Sequence, residues 1–309
     1  MAISYIYEKT LYKATLKEEG WLKNIGDHSF AKKADILYFS ASPNSAYSLA
    51  DTDKRSIDQM IQDQLKGYTI ESLDTGSIHG GVFLHALHQM PKDYKPKMIM
   101  VDMNLRSFGI RWLQSGLENS IQRNMSYWNN NLGIYNRINA ALKNYAYIPY
   151  HERFEAVDYD DRFNRLPFKD SCSTIKKWVD SIGRIRAEGD VIGQEFVRFF
   201  GFQITKKNPM MAYYDQIVDF CDKNDIKLVF LILPENVEVM ENKAGVNLKK
   251  LCYKNIQYLK NHYANSSVTI IDALDDLNAS YFFETYPTEH YIATGRKIVA
   301  DKVIKKLDF

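Results

Sequence analysis

The chain is poor in residues that staple or ligate. Its 309 residues include three cysteines, Cys172, Cys221 and Cys252. They are odd in number, far apart and without C-x-x-C spacing, so neither a disulfide framework nor a zinc site is indicated. Cys221 and Cys252 fall in helical patterns, where cysteine serves as a small buried apolar residue. Long apolar runs are also missing, and no segment approaches the roughly 18 apolar residues that cross a bilayer. The opening stretch MAISYIYEKTLYKATLKEEG has no hydrophobic core of signal-peptide type. The expected location is cytoplasmic, or extracytoplasmic (periplasm or cell surface) if a leader or anchor has been removed. An excess of charge of one sign is lacking as well. The net charge of +2 and the absence of a Lys/Arg stripe argue against a nucleic-acid partner. His85 and His88 lie three apart with no carboxylate beside them, which reads as a helix face. No metal or organic cofactor is expected.

What the sequence does contain is an alternation of short apolar runs and helical stretches. The runs DILYFS (35–40), TIESL (69–73), KMIMVD (97–102), KLVFLIL (227–233) and VTIID (268–272) are mostly continuous. That pattern suits parallel strands covered on both faces. Helical spacing appears in 56–67, 81–90, 210–224, 247–263 and 293–307, with Gly67, Pro91 and Pro209 as stop and start signals. The expected core is an α/β domain: a five-stranded parallel sheet between two helical layers, formed by residues 1–309 as a single unit.

The alternation breaks over residues 105–208, a stretch rich in Trp, Tyr, Asn and Arg with helical periodicity in 117–144 and 173–200. It is too long for a loop and predicts a helical insertion, a cap over the strand ends.

Ligands of parallel α/β sheets bind outside the carboxyl ends of the strands. The residues delivered there are Ser40, Ala41, Ser42, Pro43 and Asn44 after the first strand. Gly76, His79, Gly80 and Gly81 follow the second, and Asn104 and Arg106 the third. Pro234, Glu235 and Asn236 follow the fourth. The last loop, YFFETYPTEHYIATG, supplies Glu284, Glu289 and His290. A serine nucleophile needs a base within hydrogen-bond reach, and acyl transfer needs donors aimed at the developing oxyanion. Ser42, His290, a close-approach glycine and the Asn104 amide are of the required types. Each taken alone has a plainer reading: Ser42 as turn chemistry, the glycines as tight turns, Asn104 as a helix cap. Their joint placement at one sheet edge favours chemistry.

Ser, Gly, Asn and His in this chain order resemble the SGNH (GDSL-type) hydrolases. DILYFSAS is similar to the family's first block, with Ser42 at the nucleophile and Ser40 and Ala41 in place of the usual glycine and aspartate. TGSIHGG is similar to the second block, with Gly80 taken as the oxyanion glycine ahead of Gly76 and Gly81. MIMVDMN matches the third with Asn104, while Asp102 and Leu105 stand where the family has glycine and aspartate. PTEH matches the last, with Pro287 in place of the aspartate. VDMNLRSF and LVFLILPEN further resemble divergent bacterial members associated with acylation of cell-surface polysaccharides.

The resemblance implies a flavodoxin-like, three-layer α/β/α fold and a serine esterase acting on O-acyl groups, O-acetyl foremost, of a carbohydrate, the partner being a small-molecule or polysaccharide ester. Ser42 and His290 would be catalytic. The N–H groups of Ser42 and Gly80 and the amide of Asn104 would form the oxyanion hole, with Asn44 and Arg106 binding substrate. With no acceptor on the Pro287 side chain, Glu284 is the expected acid behind His290, the alternative being a backbone carbonyl and a Ser–His dyad. Glu289 adjoins the histidine, and neighbouring side chains of an extended segment point to opposite faces. The rival readings are an O-acyltransferase, a non-catalytic glycan- or partner-binding module of the same fold, and an anion-binding domain using SASPNS at a helix N-terminus. The last lacks any G-x-G-x-x-G or Walker pattern. The sequence carries no indication of oligomeric state.

Overall fold

The computed structural model describes residues 10, 12–109, 112, 116–128, 191–284 and 288–307. Helices α1 (Lys13–Glu19) and α2 (Trp21–Ala31) precede the first strand, β1 (Ile36–Ser40). A single turn, α3 (Ser42–Ser45), and α4 (Ile57–Gln62) lead to β2 (Ile70–Asp74). Then come α5 (Gly80–Gln89), β3 (Met98–Asp102) and a 3-10 turn, Leu105–Phe108. Helices α6 (Gly116–Trp128), α7 (Val191–Phe200) and α8 (Pro209–Asn224) lead to β4 (Lys227–Ile232). Helices α9 (Val237–Ala244) and α10 (Val246–His262), β5 (Thr269–Asp272) and α11 (Ala293–Lys306) complete the order.

The five strands are parallel, in the order β2-β1-β3-β4-β5, which is the flavodoxin-like doubly wound arrangement. Each apolar run of the sequence is a strand. The central runs are buried along their length, whereas the edge strands β2 and β5 are only partly covered. Successive side chains alternate between faces. Leu37, Phe39, Ile99, Val101, Phe230 and Ile232 join one core with residues of α2, α5, α6, α7, α8, α9 and α10. Ile36, Tyr38, Met98, Met100, Val229 and Leu231 join a second with α4 and α11. The protein is therefore a three-layer α/β/α structure with unequal layers.

The described parts of the 105–208 insertion enlarge the thicker layer. On α6, Ile121, Met125 and Trp128 are buried in the first core, and on α7 so are Phe196, Val197 and Phe200. Trp128 lies so close to α2 that a side-chain carbon built on Gly26 would stand 2.0 Å from its ring. At the other end of α6 a buried pair ties it to α5: His79 Nε2 is 2.8 Å from Glu118. His79 Nδ1 accepts the Gly81 N–H at 3.1 Å, so the ring hydrogen is on Nε2 and is donated to the carboxylate. These segments pack beside the sheet, with Trp112 at the strand ends. A cap over those ends would have to come from residues that include 129–190, which lie outside the described residues. No helix among the described residues is long and apolar enough to cross a membrane.

One residue of α11 holds the strand-end loops together. Arg296 is fully buried. Its Nη1 donates to Ala46 O at 3.1 Å, Asp51 Oδ2 at 3.0 Å and Tyr291 O at 2.8 Å. Its Nε donates to Arg55 O at 2.9 Å and its Nη2 to Asp53 O at 2.6 Å. A planar guanidinium can serve so many acceptors at once, and a lysine ammonium cannot. Arg296→Met should therefore take the charged partner from Asp51 and a donor from each of four carbonyls. Removing one partner of a buried ion pair costs on the order of 3–5 kcal/mol. Denaturant unfolding of the variant should show a loss of that size, and a loss under 1 kcal/mol would contradict the clamp.

Candidate active site

The chain order of strands reverses between β1 and β3, the place where open α/β sheets bind their ligands. Ser42 follows β1 and begins the turn α3, whose bonds run from Asn44 N–H to Ala41 O (3.0 Å) and from Ala46 N–H to Ser42 O (2.8 Å). Asn104 follows β3. His290 comes from the segment before α11, and its Nε2 is 3.1 Å from Ser42 Oγ. Ser42 and His290, 248 positions apart in sequence, are thus in hydrogen-bond contact. Burial holds the imidazole below its usual range, with Arg106 adding to this and Glu289 opposing it. The ring is kept neutral and able to accept the serine proton.

The cleft beside this pair is lined by Ala41, Ser42, Ser77, Ile78, Asn104, Arg106, Ser107, Trp112 and Glu289. Its enclosed volume is about 20 Å³, little more than the room a single water requires. The residues contributed by the loop after β2 are Ser77 and Ile78. Gly80 is instead the first residue of α5, packed on Tyr214, where a side-chain carbon would approach the ring to 3.1 Å. Ser77 has φ +71°, a left-handed conformation unusual for a side chain other than Gly, Asn or Asp. The turn 76–77 brings the chain back to the cleft before α5 starts. Gly80, expected at the cleft, is therefore not among the residues that line it, and Ser77 and Ile78 are.

Asn44 is buried and fully engaged away from the cleft. Its Nδ2 donates to Asp58 Oδ1 (2.8 Å) and Asp74 Oδ2 (3.0 Å), and its Oδ1 accepts the Asp58 N–H (3.0 Å). Asn44, expected to bind substrate, instead has its side chain tied to Asp58 and Asp74 and does not line the cleft. Arg106 does line the cleft, but its Nη1 is 2.5 Å from Glu289 Oε1. Its guanidinium carbon lies 4.2 Å from the centre of the Phe199 ring and 5.5 Å from that of Trp112.

Glu284 is not behind His290. Phe282 and Tyr291 form an antiparallel bridge, and the Phe283 N–H donates to His290 O at 2.9 Å. This pairing sets Phe283 opposite His290, with the two rings 5.7 Å apart. Glu284, one residue further along, is exposed and makes no hydrogen bond to the imidazole. Pro287 is outside the described residues. The adjacent Glu289 proves to be the buried carboxylate of the site. Its Oε2 accepts from Asn104 Nδ2 at 3.1 Å, while Asn104 Oδ1 accepts the Arg106 N–H at 3.0 Å. Beneath it is Glu235, fully buried, which burial foremost, and Glu289 next, push well above the usual carboxylate range. The ion pair in this cluster is the one between Arg106 and Glu289.

A second buried carboxyl, Asp102, lies at the end of β3. Asp102 accepts from Tyr38 OH at 2.7 Å and from Ser40 Oγ at 2.6 Å. Burial raises its pKa to about 7, with the Ser40 and Tyr38 hydrogen bonds opposing. Ser40 is thus a support of the strand end and is turned away from the cleft that Ser42 faces. Sequence reasoning placed Asp102 and Ser40 as departures from a motif and did not foresee that they bond to each other.

No group of three or more metal-ligating side chains is present among the described residues. No protein-family model matches the chain, and no curated protein does. Similar solved structures exist. One is a variant of an acetyl-xylooligosaccharide esterase from Geobacillus, 8% identical over 89% of this chain and 94% of that one, TM-score 0.44. Another is a lipase/acylhydrolase from Enterococcus faecalis, 7% identical over 87% and 93%, TM-score 0.39. A GDSL-like lipase from Bacteroides thetaiotaomicron is 9% identical over 95% of both chains, TM-score 0.38.

Proposed function

We propose that the protein is a serine ester hydrolase whose substrate is a short acyl ester, O-acetyl on a carbohydrate. The observation that carries this reading is the 3.1 Å contact between His290 Nε2 and Ser42 Oγ at the strand-order reversal. His290 takes the serine proton as Ser42 attacks the ester carbonyl, and returns it to the departing alkoxide. The acyl-enzyme is then cleaved by water that His290 activates in turn. A sugar hydroxyl in place of that water would complete a transfer instead. Asn104 Nδ2, with the backbone N–H groups at Ser42 and at Ser77–Ile78, is the donor set for the oxyanion.

Two features of the cleft support the choice of substrate. Its small volume suits a short acyl group better than a long chain. Its walls carry hydroxyl, amide, guanidinium and carboxylate groups from Ser77, Asn104, Arg106, Ser107 and Glu289, together with the Trp112 ring. Such a lining fits a polyol better than a lipid tail.

The decisive test is labelling with a fluorophosphonate, alongside turnover of p-nitrophenyl acetate. The probe should attach to Ser42, and Ser42→Ala should abolish both labelling and turnover. Ser40→Ala should leave labelling in place. Persistent turnover in Ser42→Ala would overturn the mechanism. The pH profile gives a second test. Protonated His290 cannot accept a proton, so kcat/KM should fall as pH drops through its pKa. Because burial lowers that pKa, the midpoint should lie below the unperturbed value of about 6.5. A midpoint above about 7 would contradict a buried neutral imidazole as the base.

A further inference from the structure

The buried ion pair beside the cleft has no part in the mechanism as written, yet it touches the oxyanion donor directly. Asn104 has one amide oxygen and two amide hydrogens. The oxygen is held by the Arg106 N–H at 3.0 Å, which puts Nδ2 on the side of Glu289. One of its hydrogens goes to Glu289 Oε2 at 3.1 Å, and the other is directed by planarity of the amide. Glu289 is in turn held by the Arg106 side chain at 2.5 Å on its other oxygen. Arg106 thus contacts Asn104 twice, once through its own backbone and once through Glu289. Both Arg106 and Glu289 are nearly inaccessible to solvent.

We infer that Glu289 is a positioning residue that aims the Asn104 amide at the oxyanion, with Arg106 holding Glu289 in place. This rests on the esterase reading above and assigns to that site a residue that never meets the substrate carbonyl. The arrangement has a physical logic. A side-chain amide on a loop has free χ rotation, and an oxyanion donor is effective only when it is oriented before the charge develops. Glu289 alone would place a negative charge near the developing oxyanion, which is unfavourable. Arg106 cancels that charge within the pair.

Replacing Glu289 by glutamine isolates the effect at constant volume. Both oxygens of Glu289 face donors, Arg106 on one side and Asn104 on the other. A glutamine has one oxygen and one NH2 group, so one donor must lose its acceptor. The guanidinium, being charged, takes the oxygen. Asn104 Nδ2 is then opposite an NH2 group and turns away.

The experiment is a double-mutant cycle on turnover of p-nitrophenyl acetate. Asn104→Ala alone should lower kcat by roughly 100- to 1000-fold, the loss typical of one oxyanion donor. Glu289→Gln alone should lower kcat by about 10- to 100-fold with KM little changed, since only transition-state contacts suffer. In the Asn104→Ala background Glu289→Gln should cost less than about 2-fold, because the amide it aims is already gone. Full multiplication of the two losses overturns the inference and makes Glu289 act through His290 or the fold. So does an unchanged kcat in Glu289→Gln. Thermal melting verifies that each variant is folded. Where Glu289→Gln is not, Glu289→Asp, which retains the charge but shortens the reach, is read in the same cycle with the same expectation. Wild-type protein that neither turns over ester nor labels at Ser42 overturns the esterase reading and this inference together. Turnover that requires Ser42, with independent losses at 104 and 289, overturns this inference alone.

Discussion

The geometry of the site depends on one buried cation. Ser42 and His290 come from opposite ends of the chain, and nothing in their local sequence sets the distance between them. Arg296 does so from beneath. It donates to Ala46, at the end of the turn that Ser42 begins, and to Tyr291, the residue after His290. The same guanidinium gathers Asp51, Asp53 and Arg55, the loop leading out of that turn. A buried charge is tolerated only when its hydrogen bonds are met, so the loops have little freedom to drift without exposing an unpaired donor. The Ser42–His290 contact is therefore held by a residue bonded to the backbone beside each of them, at Ala46 and Tyr291.

The strand ends show a second case of coupled polar burial. Ser40 and Asp102 both occupy positions where a resemblance to SGNH hydrolases leads one to expect glycine. The structure joins them by a 2.6 Å hydrogen bond, with Tyr38 completing the set. A hydroxyl or a carboxyl alone at either position would be an unsatisfied buried group. Together they cross-link β1 to β3 at the level of the site. Two departures that look independent in the sequence are thus one structural substitution.

The carboxylates of the last loop teach the opposite lesson. Six residues before His290, Glu284 has the spacing of a residue that a loop brings back, and Glu289 has the spacing of one that points away. Strand-like pairing of Phe282 with Tyr291 decides otherwise. It sets Phe283 against the imidazole and leaves Glu284 exposed. Glu289 turns inward because Arg106 and Asn104 are waiting there from β3. Alternation along a strand gives no warning of this, since 288–289 is a turn rather than an extended segment.

Much of the fold was legible without coordinates, because its signals are local. Continuous apolar runs separated by helical spacing require a parallel sheet covered on both faces, and the five runs are the five strands. Ser42, Asn104 and His290 could be singled out for a related reason: a parallel sheet sends whatever follows its strands to one edge. The tertiary structure alone decided the rest. Gly80 went to a helix start against Tyr214 and Ser77 to the cleft, because the chain reaches the cleft before the helix begins. Asn44 went to Asp58 and Asp74, partners 14 and 30 residues away. Arg106 met Glu289 across 183 positions of chain, and Arg296 met four of its five acceptors across more than 240. Side-chain pairings over such separations leave no periodicity in a sequence; they exist only once packing has excluded water and left each buried polar group a single place to find its partner.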